Sequence, residues 1–73
     1  MEDHSNNEEF LLSIAKRFKD LRELIKLTQE NVYNDTSVHI SRIESGKTNI
    51  TLLTLKNLCD YFKITIPEFF RSC

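Results

Sequence analysis

The chain of 73 residues has one glycine, one proline, no tryptophan and two cysteines. One Gly and one Pro supply almost none of the turn residues that hairpins require, which argues against a β-sandwich or meander. Two cysteines, one of them the last residue, Cys73, are too few for the disulfide framework of a small secreted domain. No apolar run approaches the roughly 20 residues needed to span a bilayer, so no membrane association is expected. The opening Met1-Glu2-Asp3-His4 has no basic flank and does not read as a secretory leader. A cytoplasmic protein with reduced thiols is the expectation. Neither charge is in strong excess, since ten Lys/Arg against eleven Asp/Glu give −1.

What is present favours helices. Leu, Ile, Lys and Glu are good helix formers, and the length suits one domain near the lower size limit for independent folding. Residues 1–6 are polar and acidic and are expected to be disordered, with the domain spanning 7–73. Ser5-Asn6-Asn7-Glu8 offers a capping box. Phe10, Ile14, Phe18, Leu21 and Ile25 recur at spacings of three and four, predicting a helix from about Asn7 to Ile25. Thr28 caps a second helix running to about Asn34, with Val32 inward and Asn34-Asp35-Thr36 as a turn and capping cluster. A third helix turns Ile40 and Ile43 inward and stops at Gly46. Thr51 caps a fourth, with Leu52, Leu55, Leu58, Cys59 and Phe62 on its apolar side. Thr65-Ile66-Pro67-Glu68 is a capping box that opens a fifth carrying Phe69 and Phe70. The fold class is therefore all-α, a compact five-helix bundle around one shared core.

The charge is unevenly distributed. Four acids precede Phe10, and from Phe10 onward ten Lys/Arg face seven Asp/Glu. On the third helix, spacing alone puts Ser37, Val38, Ser41 and Arg42 opposite the two isoleucines, with His39 at the flank. Other signals lead nowhere. Gly46-Lys47-Thr48 lacks the earlier glycine and the preceding strand of a phosphate-binding loop. His4, His39, Cys59 and Cys73 lack zinc-site spacing, so no metal is expected. Asn49-Ile50-Thr51 is a glycosylation sequon only by letter. No nucleophile stands with a base at suggestive spacing, so neither an enzyme nor a cofactor is expected.

Three blocks in order are more specific. They are Ile14-Ala15-Lys16-Arg17-Phe18-Lys19-Asp20-Leu21-Arg22 with Leu27-Thr28-Gln29-Glu30; Ile40-Ser41-Arg42-Ile43-Glu44-Ser45-Gly46-Lys47; and Asn49-Ile50-Thr51-Leu52-Leu53-Thr54-Leu55 running on to Cys59 through Phe70. From Ile14 to Phe70 the chain resembles the Cro/repressor-type (XRE-like) helix-turn-helix family, with a lambda-repressor-like bundle and the motif at helices 2 and 3. Two departures stand out. Gln29 to Glu44 is about three residues shorter than the family pattern, nearly one helical turn. Either the end of the second helix or the turn has been cut. Lys26 and Lys63 stand where the family favours Gly, which predicts positive φ at a non-glycine residue.

The resemblance implies a DNA-binding transcriptional regulator. It suggests that Arg22 pairs with Glu44, tying the first helix to the third, and that Gln29 holds a phosphate at the start of the second. A third helix lying in the major groove reaches base edges with few side chains. Arg42 matches a guanine edge or, equally, a phosphate. Ser37 and Thr36 suit a base or a phosphate, Thr36 alternatively a helix cap. Val38 suits a thymine methyl or a gap in the core. Lys47, Thr48 and Asn49 suit the next phosphate. One domain reads a half-site, so a homodimer on a palindromic operator is expected, with Tyr61, Ile66, Phe69 and Phe70 as its surface. A repressor or the antitoxin partner of a toxin fits. The rival is a helical protein-interaction module that has lost DNA, supported by the near-neutral charge.

Overall fold

Threonine side chains open three of the helices as the sequence indicates. In this computed structural model, which describes residues 4–71 and side chains from Asn7, the elements are α1 His4–Leu24, α2 Gln29–Thr36, α3 Ile40–Glu44, α4 Leu52–Tyr61 and α5 Ile66–Arg71. Thr28 Oγ1 accepts from the Asn31 N–H at 3.0 Å while the Thr28 N–H donates to Asn31 Oδ1 at 2.9 Å. Thr51 Oγ1 accepts from the Thr54 N–H at 3.0 Å. Thr65 and Glu68 exchange the two bonds of a capping box, at 3.0 and 3.2 Å. The Thr65 N–H and hydroxyl both donate to Glu68 Oε1 and hold that carboxyl below its ordinary value.

The start of α1 differs from expectation. The helix runs from His4, so Ser5 lies within it and not ahead of it. Residues 1–3 and Cys73 lie outside the described residues.

Helix ends are handled uniformly. α1, α2, α3 and α4 are each followed by a residue with left-handed φ: Lys26 at 62°, Ser37 at 64°, Gly46 at 76° and Lys63 at 60°. After α1 and α4 the bonding is the same: Lys26 N–H donates to Glu23 O and Leu27 N–H to Arg22 O, as Lys63 and Ile64 donate to Asp60 and Cys59. This satisfies carbonyls that a helix end leaves open. The two lysines do adopt the positive φ expected of them. Ser37 does the same without any signal in the sequence. Glycine is required at Gly46 for a second reason. A Cβ there would lie 2.5 Å from Leu12 Cδ2, so the exposed Leu12 side chain would have to shift to admit any larger residue.

The core draws on all five helices. Phe18, Val32, Ile40, Leu58, Cys59 and Phe69 are fully buried, and Phe18 packs against Phe69 with ring centroids 4.6 Å apart. Burial pushes the Cys59 thiol above its ordinary pKa, as expected of an inert core cysteine. Arg17 docks α5 by donating from Nε to Phe69 O at 3.1 Å and from Nη2 to Glu68 O at 3.3 Å. Three residues of the expected apolar stripes are not core. Phe10 is half-exposed and stacks on Phe70 at 6.2 Å, Ile25 lies beyond the end of α1, and Leu52 is 82 % exposed. Periodicity marks a face, but the first turn of α4 overhangs the bundle, and the described residues leave Leu52 largely uncovered. No helix among the described residues is long and apolar enough to cross a membrane.

Candidate nucleic-acid interface

α2 runs eight residues through Thr36, residues 37–39 form the connection, and the five residues of α3 make about one and a half turns. Consequently Ser37, Val38 and His39 are turn residues, not helix residues as helical spacing suggested.

The end where α2 starts and α3 stops is tied tightly. Arg22 Nε donates to Glu44 Oε2 at 2.7 Å and Nη2 to Glu44 Oε1 at 3.0 Å, a bidentate pair. Nη1 donates to Leu27 O at 2.8 Å. The two side chains are 11 % and 5 % exposed. The Glu44 hydrogen bonds push the guanidinium above its usual pKa, against the opposing effect of burial. Gln29, the first residue of α2, joins the cluster by donating from Nε2 to Glu44 Oε1 at 2.9 Å. Sequence reasoning found the Arg22–Glu44 pair through the resemblance but not the Gln29 link, which depends on α2 crossing the end of α3.

The other end is more open. Thr36 is half-buried. Its Oγ1 donates to Val32 O at 2.7 Å and accepts from the Val38 N–H at 3.1 Å, so it braces the end of α2 and the turn, while His39 and not Thr36 directly precedes α3. Ser37 is exposed and left-handed, and its N–H donates to Tyr33 O. Val38 is half-buried against the core, the space-filling alternative. His39 is exposed and stacks on Tyr33 with centroids 4.5 Å apart and planes at 29°. Spacing on α2 offers Tyr33 as a second inward residue beside Val32; it is 43 % exposed instead, and nothing local to it signals the contact.

On α3 itself, Ile40 and Ile43 are buried while Ser41 and Arg42 are exposed. Lys47 and Asn49 are exposed and Thr48 half-buried in the loop that follows. The Lys47 N–H donates to Ser45 Oγ at 3.3 Å, which in turn donates to Arg42 O at 2.6 Å, so this loop is braced on the end of α3. Across 28–50, Arg42 and Lys47 stand against Glu30, Asp35 and Glu44. Positive charge is thus sparse, and confined to the outer flank of α3 and its following loop.

The expected dimer surface is only partly available. Phe69 is 0 % exposed and belongs to the core, because α5 must insert one aromatic between α1 and α4 to dock. Tyr61 is half-buried and donates from its hydroxyl to Asp35 Oδ2 at 2.5 Å, linking the end of α4 to the last turn of α2. That bond pushes the phenol up to about 12. Ile66 and Phe70 remain at the surface.

Two short helices joined by a turn, with α3 tied to α1 by a buried ion pair and to α2 through Gln29, one flank of α3 in the core and the other in solvent, define a helix-turn-helix. Residues 18–69 match the family model described as Helix-turn-helix, and the chain belongs to that family, the XRE type of DNA-binding helix-turn-helix regulators. No curated protein and no solved structure matches the chain significantly.

Proposed function

We propose that the chain is a sequence-specific DNA-binding transcriptional regulator that acts in the cytoplasm as a homodimer on a palindromic operator. The observation that supports this best is the two-sided α3. Ile40 and Ile43 anchor it while Ser41 and Arg42 project from the opposite flank, uncovered by any described segment. Arg42 reads a base edge, and guanine O6/N7 suits a guanidinium best. Lys47 and Asn49 hold the next phosphate, with Thr48 beside them. At the start of α2, Gln29 has a second amide N–H beyond the one given to Glu44, and this donates to a backbone phosphate. Ser37 contacts the backbone from the turn. The bidentate pair does not touch DNA but fixes α3 relative to α1.

The twofold contact uses Ile66 and Phe70. Phe70 also lines an open apolar groove of about 300 Å³ with Phe10, Ile50, Leu52 and Leu55. A dimer places two copies of α3 about 34 Å apart, one turn of DNA.

Selection of bound sequences from a random DNA pool tests this reading. A palindromic consensus with half-sites one turn apart is expected, with affinity falling steeply as salt rises, at a log–log slope of about −0.9 per phosphate contacted. One observation favours the alternative, a protein-interaction module such as an antitoxin bound to its toxin. Residues 28–50 carry a net charge of −1, while Leu52 and Leu53 are exposed side by side. A flat salt response and no consensus select that alternative.

A further inference from the structure

We propose that Tyr33 is a positioning residue for His39, and that the ring pair reads a base beside the few that the five-residue α3 reaches. The inference rests on the DNA-binding reading above. α3 has five residues, of which Ile40 and Ile43 are buried and Glu44 is occupied by Arg22 and Gln29. Only Ser41 and Arg42 are left to face a duplex, whereas a recognition helix of this kind normally brings three or four side chains to base edges.

The residues just before α3 make up the shortfall. Val38 is unavailable, being packed against the core. His39 directly precedes the helix but makes no side-chain capping bond to it, which is the usual task of a residue in that place. Its ring instead lies on Tyr33, 4.5 Å between centroids, and both rings are exposed. Tyr33 stands four residues after Gln29 on α2, on the face that meets α3 through Glu44. A histidine held flat against a second ring has lost much of its rotamer freedom before DNA arrives, so the contact costs less entropy on binding. Neutral imidazole offers one donor and one acceptor, enough to distinguish base edges in the major groove.

The test is competition binding on the selected consensus and its single-base variants, using the full chain carrying His39→Ala, Tyr33→Phe, Tyr33→Ala or Tyr33→Leu, with thermal unfolding run in parallel. Tyr33→Leu keeps apolar bulk at the site should Tyr33→Ala fail to fold. His39→Ala and the Tyr33→Ala or Tyr33→Leu change flatten discrimination by roughly tenfold at one and the same base position, distinct from the position lost in Arg42→Ala. Tyr33→Phe keeps the ring and keeps the preference. Combining His39→Ala with Tyr33→Leu loses no more than either alone, because both act through one contact. Full preference in the folded Tyr33→Leu protein overturns the proposal, as does an equal weakening on every sequence. Wild-type protein that binds DNA with a salt-dependent affinity but no base preference at the His39 position refutes the ring-pair role and leaves DNA binding standing. Wild-type protein that binds no DNA removes both.

Discussion

Where α2 begins and α3 ends, Glu44 accepts from a buried Arg22 and, on its solvent side, from an exposed Gln29. Where α2 ends and α3 begins, the chain turns through a left-handed Ser37, and two exposed rings rest on each other. The first end is held by charge-assisted bonds, in which removing one partner strands a buried charge. The second is held by a short turn and a ring contact that tolerate change. A helix-turn-helix needs one end rigid to fix the angle between its helices. The other end is then free to vary in length and composition.

The largest effect expected from disturbing this contrast is at the buried end. Glu44→Ala leaves the Arg22 guanidinium unpaired and destabilises the fold by about 3–5 kcal/mol. A 73-residue domain has about 4–11 kcal/mol in total. Urea unfolding should show a much lower midpoint, and a shift under 1 kcal/mol would mean that the pair does not hold α3.

Arg42→Ala comes next. It leaves stability nearly unchanged but costs about 1–3 kcal/mol on the preferred DNA and relaxes one base position. Unaltered discrimination in a binding titration would remove Arg42 from the reading role.

Smaller effects follow at the left-handed residues. Ser37→Gly relieves a positive φ at a small entropic cost and raises stability by up to about 1 kcal/mol. Gly46→Ala does the opposite by about 1–2 kcal/mol, because φ there is 76° and the Leu12 side chain would have to shift. Thermal unfolding of both variants checks the pair of signs.

Lys47→Ala should weaken all DNA alike and reduce the salt slope by about one unit. A loss confined to the consensus would place Lys47 at a base.

The mildest effect concerns Tyr61. Its hydrogen bond to Asp35 raises the phenol to about 12, above the ordinary value of 10.0. The folded state then holds its proton more tightly than the unfolded state, so this contribution is intact below pH 10 and is lost as pH rises toward 12. Stability should fall between those values in the wild type, and less so in Tyr61→Phe. Identical pH profiles would show that the bond is not kept in solution.

Much of the fold was legible in residue order. Thr28, Thr51 and Thr65 announce three helix starts, because a hydroxyl at a cap acts within three residues. Ile40 and Ile43 announce the inner face of α3 by spacing alone. Arg22 with Glu44 was legible only through the family resemblance, since 22 residues separate the partners. The site was less legible at the turn. Helical spacing carried α3 back through Ser37, which the left-handed backbone there rules out, and no glycine marked the break. Phe69 and Phe70 are adjacent aromatics in one short helix, and nothing local distinguishes the core residue from the surface one.

By itself the sequence determined the helical class, the three threonine caps and the two-sided character of α3, because capping and periodicity are local. Tertiary structure alone decided that Phe10, Leu52 and Phe70 stay near the surface while Phe69 goes in, that Gln29 leans on Glu44, and that Tyr33 meets His39. Each of those depends on which helix lies across which, and a burial or a hydrogen bond between distant residues exists only after the helices have packed.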